Sequence, residues 1–444
     1  MNPLEQIRAA KQSGSQRLNL SCGLKEFPPE IYELADTLEI LDLSGNELSS
    51  LPHDFARLHK LRILFCSDNL FTELPAVLGQ CQQLSMVGFK ANRIRSVPGA
   101  SLSPSLRWLI LTDNQISELP ASIGLCTQMQ KLMLAGNLLQ TLPDEMAACT
   151  SLELLRIAAN RFGELPQWLL TLPRLSWLAY AGNPCCDAIE AASLADNAIR
   201  KIHWHSLDMQ HQLGAGASGV IYHARWQQSP LEKTDVAVKL FKGAMTSDGL
   251  PLSEKTACIS AGEHPNLIGI HGKISDHPEA NTGLVMSLID SAFRNLAGPP
   301  SLDSCTRDIY DSGTRFTLSA ALRIARGIAS AAQQLHGKGI MHGDLYAHNI
   351  LHNDAGDCLL GDFGAASFYP LNDQVRAHAL QRIEVRAFGC LLEELIARCD
   401  NTNGQPGAIQ TLQTLQSACT QANIAARPLF GEILAILELL LEAA

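Results

Sequence analysis

Apolar residues in the first 186 positions recur with a period far longer than a helix or a strand requires. LEILDLSGNELSSLP (38–52) and MQKLMLAGNLLQTLP (129–143) share the pattern L-x-x-L-x-L-x-x-N-x-L-x-x-L-P. Its asparagine returns at 46, 69, 92, 114, 137, 160 and 183, in steps of 22 or 23 residues. Within each unit the alternating leucines mark a short strand with one buried face. One such unit cannot bury its own apolar face, so neighbours must stack. The asparagine can satisfy backbone groups between successive turns, and the proline fixes the chain on the outer side.

The pattern resembles a leucine-rich repeat of the short Leu-Pro type, with about eight units over 15–186 and GNPCC (182–186) as the closing one. The other strand positions would face the concave surface. Six residues before each asparagine stand Ile40, Ile63, Met86, Trp108, Lys131, Leu154 and Trp177. Four before stand Asp42, Phe65, Gly88, Ile110, Met133, Arg156 and Ala179. That face is apolar for a solvated sheet. Two readings stand level: a protein partner on Ile63, Phe65, Met86, Trp108, Ile110, Met133 and Trp177, or cover by the rest of the chain.

Beyond a helical, polar connection at 187–202 the periodicity changes. HQLGAGASGVIYHARW (211–226) reads as two strands around a G-x-G-x-x-G-x-V loop, with Gly214, Gly216, Gly219 and Val220. Glycines let backbone N–H groups approach phosphates. A dinucleotide-binding reading needs a helix next, yet VIYHARW reads as a strand. DVAVKLFK (235–242) carries Lys239 in an apolar strand, which is costly unless the lysine is paired. Glu254, in the helical stretch PLSEKTACISAG, is the expected partner. HPN (264–266) and the buried strand GLVMSLID (283–290) follow. An amphipathic helix over 317–339 leads into GIMHGDLYAHNILHNDAGDCLLGDFGAAS, which spaces Asp344, Asn349 and Asp362 as phosphoryl-transfer sites do.

In this order the motifs resemble a eukaryotic-like protein kinase domain of bacterial type over 205–444, with EVRAFGCLLEELI as its central helix and ARPLFGEIL as its Arg-Pro element. The resemblance implies an α/β leucine-rich-repeat solenoid followed by an α+β bilobal kinase domain. The boundaries are a capping helix at 1–14, repeats at 15–186, a connection at 187–204 and the kinase domain at 205–444. It implies ATP with Mg²⁺ or Mn²⁺ as cofactors. Lys239, paired with Glu254, would hold the α and β phosphates, Asp344 would orient the acceptor hydroxyl, and Asn349 and Asp362 would hold the metal. Leu213, Gly214, Gly216, Gly219, Val220, Ala237, Met286 (the gatekeeper) and Leu288 (the hinge) would line the nucleotide site. Charge spread over a transferring phosphoryl group calls for such cations, N–H donors and in-line positioning.

Several positions depart from the family pattern. Gly343 replaces the arginine that usually meets a phosphorylated activation loop, and the segment 362–384 is short, without Ala-Pro-Glu. Its hydroxyls are Ser367 and Tyr369. Control by loop phosphorylation is therefore not expected; constitutive activity or control through the repeats is. Glu384 replaces the aspartate that starts the central helix, Arg427 lacks its usual glutamate, and neither Tyr346 nor His348 matches a serine/threonine or tyrosine signature. Serine/threonine is the expected acceptor. HGDLYAHNIL also resembles the loop of aminoglycoside and choline phosphotransferases, so a small-molecule kinase is one alternative and a nucleotide-binding pseudokinase scaffold another.

Composition narrows the setting. A chain of 444 residues exceeds one ordinary core. A net charge of −10 argues against nonspecific nucleic-acid binding. No apolar run reaches membrane-spanning length, and the N-terminus lacks a signal-peptide core, so a cytoplasmic protein is expected. Cys81, Cys126 and Cys149 each fall six residues after a repeat proline, where other units carry leucine. They read as small core residues in a reducing compartment, not as disulfides or metal ligands.

Overall fold

The computed structural model describes residues 3–196, 199–216, 218–242, 245–246, 248–400 and 406–443. The chain divides into two compact units: Met1–Leu175 with Asn183–Cys185, and Ser176–Gly182 with Cys186–Ala444.

The first unit opens with helix α1 (Pro3–Ser13). Seven three-residue strands follow: β1 (Arg17–Asn19), β2 (Ile40–Asp42), β3 (Ile63–Phe65), β4 (Met86–Gly88), β5 (Trp108–Ile110), β6 (Lys131–Met133) and β7 (Leu154–Arg156). They pair in parallel, each strand with the next, and one central apolar residue per strand (Leu41, Leu64, Val87, Leu109, Leu132) stays in register. These side chains are buried. The asparagines bridge adjacent turns. Asn114 accepts from the Ile94 amide at 2.9 Å and donates to the carbonyls of Phe89 (2.9 Å) and Leu111 (3.0 Å). Each proline precedes a short 3-10 turn, as at Pro75 before Ala76–Gln80 and Pro120 before Ala121–Leu125. The repeat cysteines Cys81, Cys126 and Cys149 are free thiols, and burial pushes each up to about 11.

In the second unit, β8 (Trp177–Ala179) and helix α2 (Pro184–Asp196) precede β9 (Lys201–His203). β9 lies in the stretch expected to be a helical connection. It pairs in parallel with β13 (Ile270–Ser275) at the edge of a six-stranded sheet. The sheet also holds β10 (Leu207–Ala215), β11 (Gly219–Ser229), β12 (Glu232–Phe241) and β14 (Gly283–Ser287), in the order β10-β11-β12-β14-β13-β9. Strand alternation gives it two apolar faces. Val236, Val238, Trp226 and Val285 form one cluster, and Ala237, Phe241, Leu284 and Met286 the other. Helix α3 (Pro251–Ala261) carries Glu254.

The rest of the unit is mainly helical. Helix α4 (Leu318–Gly337) starts at Thr317, whose hydroxyl accepts from the Ala320 amide at 3.2 Å. Its apolar stripe is buried, and it delivers the chain to β16 (Ile340–Met341), which follows the short strand β15 (Arg294–Asn295). β17 (Ile350–His352) and β18 (Cys358–Leu360) frame the loop between Asn349 and Asp362, and β19 (Ser367–Phe368) pairs with β16. Helix α5 spans Gln374–Ile396, ten residues earlier than the expected start at Glu384, because Asp373 caps it by accepting from the Arg376 amide. Helices α6 (Pro406–Cys419) and α7 (Phe430–Glu442) complete the unit.

Candidate active site

A cavity of about 210 Å³ lies between the six-stranded sheet and the loop after β18. Its lining includes Gly216, Gly219, Lys239, Glu254, Met286 and Asp362. Lys239 reaches it from β12 and Glu254 from α3, and the two form an ion pair in which Glu254 is buried and Lys239 half-buried. Burial alone would discharge the lysine, but the Glu254 charge holds Lys239 above its ordinary value.

The glycine loop needs one correction. In the β11–β12 ladder Val220 is opposite Leu240, whereas Ile221 is opposite Lys239. Cross-strand neighbours share a face, so Ile221 lines the cavity and Val220 does not. Counting two residues on from Gly219, as the motif's spacing demands, reaches Ile221. Leu213, Gly214, Ala237 and Leu288 also fall outside the lining. Ala237 stands opposite Met286 in the sheet and packs with it, while Leu213 and Leu288 are exposed. Ala217 lies outside the described residues.

Gly361, Asp362, Phe363 and Gly364 form the other wall, and Asp344 and Asn349 lie outside the lining. Asn349 donates through Nδ2 to the Asp344 carboxylate (2.8 Å) and carbonyl (2.9 Å). Asp362 is exposed, adopts φ +51°, and accepts from the Gly364 amide at 3.1 Å. His342 bonds the Gly361 carbonyl at 2.8 Å, tying the two loops together. HPN acts as a clasp: His264 bonds Ser330 on α4, and Asn266 donates to the Cys358 carbonyl at 2.9 Å.

Two buried carboxylates brace this loop. Glu384 accepts from the Gly343 amide at 2.7 Å and bonds His336 Nε2 at 2.7 Å. Burial opposes its charge, yet these partners hold its carboxyl below the usual range. Asp308 accepts from the His348 backbone amide (2.9 Å) and lies 2.8 Å from His348 Nδ1. Burial lowers the His348 imidazole, but Asp308, and then Asp344 and Asp362, leave it above its ordinary value. Asp308 and His336 carry no sequence motif; tertiary contact alone marks them. Arg427, without its expected glutamate, donates to the carbonyls of Gln421 (2.8 Å) and Arg382 (3.0 Å).

A model described as "Protein tyrosine and serine/threonine kinase" matches residues 207–393, and leucine-rich-repeat models match 104–162 and 37–58. The chain carries leucine-rich repeats and a protein kinase domain. Ephrin type-B receptor 3 of Danio rerio is 27% identical over 170 residues, covering 38% of this chain and 31% of its own length. A Dictyostelium discoideum protein named as a probable serine/threonine-protein kinase is 30% identical over 39% of this chain and 10% of its own length. A negative regulator of sexual conjugation and meiosis from Schizosaccharomyces pombe is 31% identical over 36% of this chain and 31% of its own. The chain thus spans less than a third of each of these relatives.

Within the kinase domain the donor set suits a hard cation. Asp362 offers an exposed carboxylate, and Asn349, having spent Nδ2 on Asp344, keeps its amide oxygen. Among the described residues no group of three or more His, Cys, Asp or Glu could hold a metal alone. A cation here would share phosphate oxygens, as magnesium sites do.

The expected partner face is only partly available. Phe65, Trp108, Ile110 and Met133 are half-buried, whereas Ile63 and Met86, adjacent rungs in register, are buried. Trp177 is 1% exposed, because its ring stacks on Tyr346 of the catalytic loop (centroids 4.1 Å apart, planes 7° apart). It cannot also receive an external partner.

Proposed function

We propose that this chain is an ATP-dependent protein kinase directed at serine or threonine. The supporting observation is the Lys239–Glu254 pair in the same cavity as Asp362, beside the bonded Asp344–Asn349 pair. Lys239 would hold the α and β phosphates, and the Gly216–Gly219 loop would lie over them. Ile221 and Met286 would contact the base. Asp344, fixed by Asn349, would orient the acceptor hydroxyl and take its proton. Asn349 and Asp362 would hold Mg²⁺ or Mn²⁺, which neutralises charge on the phosphates.

We assign residues 205–444 to the kinase domain and 15–186 to the repeats. Leucine-rich repeats suit protein recognition, and Phe65, Trp108, Ile110 and Met133 are the residues we expect to contact a partner. Among the described residues no helix is long and apolar enough to cross a membrane. We place the protein in the cytoplasm on its many free cysteines.

The test is phosphate transfer from radiolabelled ATP with Mg²⁺ to generic proteins and to aminoglycosides, with phosphoamino-acid analysis of the product. Wild type should label serine or threonine well above Lys239→Met and Asp344→Ala. Equal, background-level transfer by all three would leave a nucleotide-binding scaffold, and label on aminoglycosides alone would make it a small-molecule kinase. Retention of a partner by Trp108→Ala as well as by wild type would remove the concave-face assignment.

A further inference from the structure

The segment Ser176–Gly182 is the last repeat strand by sequence, yet it belongs to the kinase unit. It grips the catalytic loop directly after Asp344. Trp177 Nε1 donates to the Leu345 carbonyl at 3.1 Å, and the indole lies flat on Tyr346. On the other side of Asp344, the Gly343 amide is held by Glu384. The catalytic carboxylate is thus fixed from both chain directions, by α5 before it and by Trp177 after it.

The same segment holds the stretch that follows Asp362. The amides of Tyr180 (2.9 Å) and Ala181 (3.1 Å) both donate to the Ser367 hydroxyl, and the Tyr180 hydroxyl donates to the Phe368 carbonyl at 3.1 Å. Arg386 on α5 donates to the Ser176 hydroxyl at 2.7 Å. Ser367 is fully buried, and Tyr369 is 2% exposed, its hydroxyl bonded to the His336 carbonyl at 3.0 Å. Neither hydroxyl is available to a phosphate donor.

Gly343 explains why an arginine is absent. A Cβ there would lie 2.7 Å from the Leu178 carbonyl oxygen and 2.5 Å from that of Ala365. Backbone of the segment fills the room that an arginine side chain would leave by.

We propose that Trp177 and Tyr180 are positioning residues of the catalytic loop, and that Ser176–Gly182 orders that loop and the Ser367 strand without a phosphate. The segment supplies from within the chain the cross-link that an arginine–phosphate pair supplies in kinases controlled by loop phosphorylation. Tyr346 is accounted for in the same way: an aromatic side chain in a slot commonly held by lysine gives Trp177 a flat surface to stack on. This rests on the protein kinase reading above.

The test uses the full chain, purified and treated with phosphatase. Wild type should keep its activity; a loss of tenfold or more on dephosphorylation would overturn the proposal. Trp177→Ala should lower kcat about 10- to 100-fold, the scale of a displaced catalytic group. Its nucleotide Kd and KM for ATP should stay within about twofold, because Trp177 does not line the cavity that holds Lys239, Glu254 and Asp362. Trp177→Phe keeps a ring on Tyr346 but loses the bond to Leu345, and should fall between the two. An unchanged kcat in Trp177→Ala, or a parallel loss of kcat and nucleotide affinity, would overturn the positioning role. If Trp177→Ala shows no cooperative melting, Trp177→Phe decides, and a wild-type kcat there counts against the proposal. Wild type without any transfer overturns the kinase reading and this inference with it; an active wild type matched by Trp177→Ala overturns only the inference.

Discussion

The Gly343 amide and the Glu384 carboxylate are joined at 2.7 Å, and that bond fixes the backbone next to Asp344. The other Glu384 oxygen meets His336 at 2.7 Å, so one buried side chain ties α5, the end of α4 and the catalytic loop together. Glu384→Ala would strand a buried imidazole and an amide, and should cost about 3–5 kcal/mol in urea unfolding. Glu384→Gln keeps the acceptor for Gly343 and should cost about half as much. A Glu384→Ala protein as stable as wild type would show that this carboxylate carries no such role.

Gly343 invites a repair experiment, since arginine is the family's usual residue. Its φ is +74°, a left-handed conformation that side chains resist, and two carbonyl oxygens lie within 2.7 Å of a built Cβ. Both oxygens are backbone, so neither can rotate away. Gly343→Ala should lose about 1–3 kcal/mol of stability. Gly343→Arg should lose at least as much, with lower kcat rather than restored regulation. Thermal melts and turnover on the same samples would check this; a more active Gly343→Arg would refute it.

The repeat array and the order of kinase motifs were legible because each rests on local spacing. Asn114 and its equivalents recur by count alone, and their bonds to neighbouring turns follow from the stacking. Lys239 and Glu254 were legible for a different reason: a charge in an apolar strand demands a partner. What stayed hidden depends on contacts distant in sequence. Trp177 occupies a concave-face position by register, and nothing local shows that Tyr346, 169 positions on, covers its ring. Asp308 sits in a stretch without motif, and only the fold brings it to His348. Val220 against Ile221 was a matter of counting, which strand pairing resolves.

His348 sets a pH dependence. Its folded-state pKa is raised, so the protonated form is favoured by folding. The stabilisation is complete below the ordinary histidine value near 6.5 and fades as pH rises through the higher folded value. Below pH 6.5, wild type should exceed His348→Gln by about 1–2 kcal/mol, the size of a charge-assisted hydrogen bond. The gap should narrow toward pH 9. Asp308→Asn should flatten the difference by lowering the His348 pKa. Urea unfolding of the three proteins from pH 5.5 to 9 reads this directly, and a gap that widens with pH would reverse the assignment.

The Lys239–Glu254 pair separates stability from catalysis. Both side chains are largely removed from water, at 13% and 2% side-chain exposure, so removing one strands the other. Lys239→Met should abolish transfer by about 10²-fold or more, as expected where a phosphate-binding cation is lost. It should also destabilise the fold by about 3 kcal/mol, because Glu254 is left buried without its counter-charge. Lys239→Met combined with Glu254→Leu removes both charges and fills the space with apolar atoms. That double variant should recover most of the lost stability while remaining inactive, giving a large non-additive term in a double-mutant cycle. Strictly additive losses would mean that the two groups contribute independently. Recovered transfer in the double variant would mean that Lys239 acts only through Glu254 and makes no contact with phosphate.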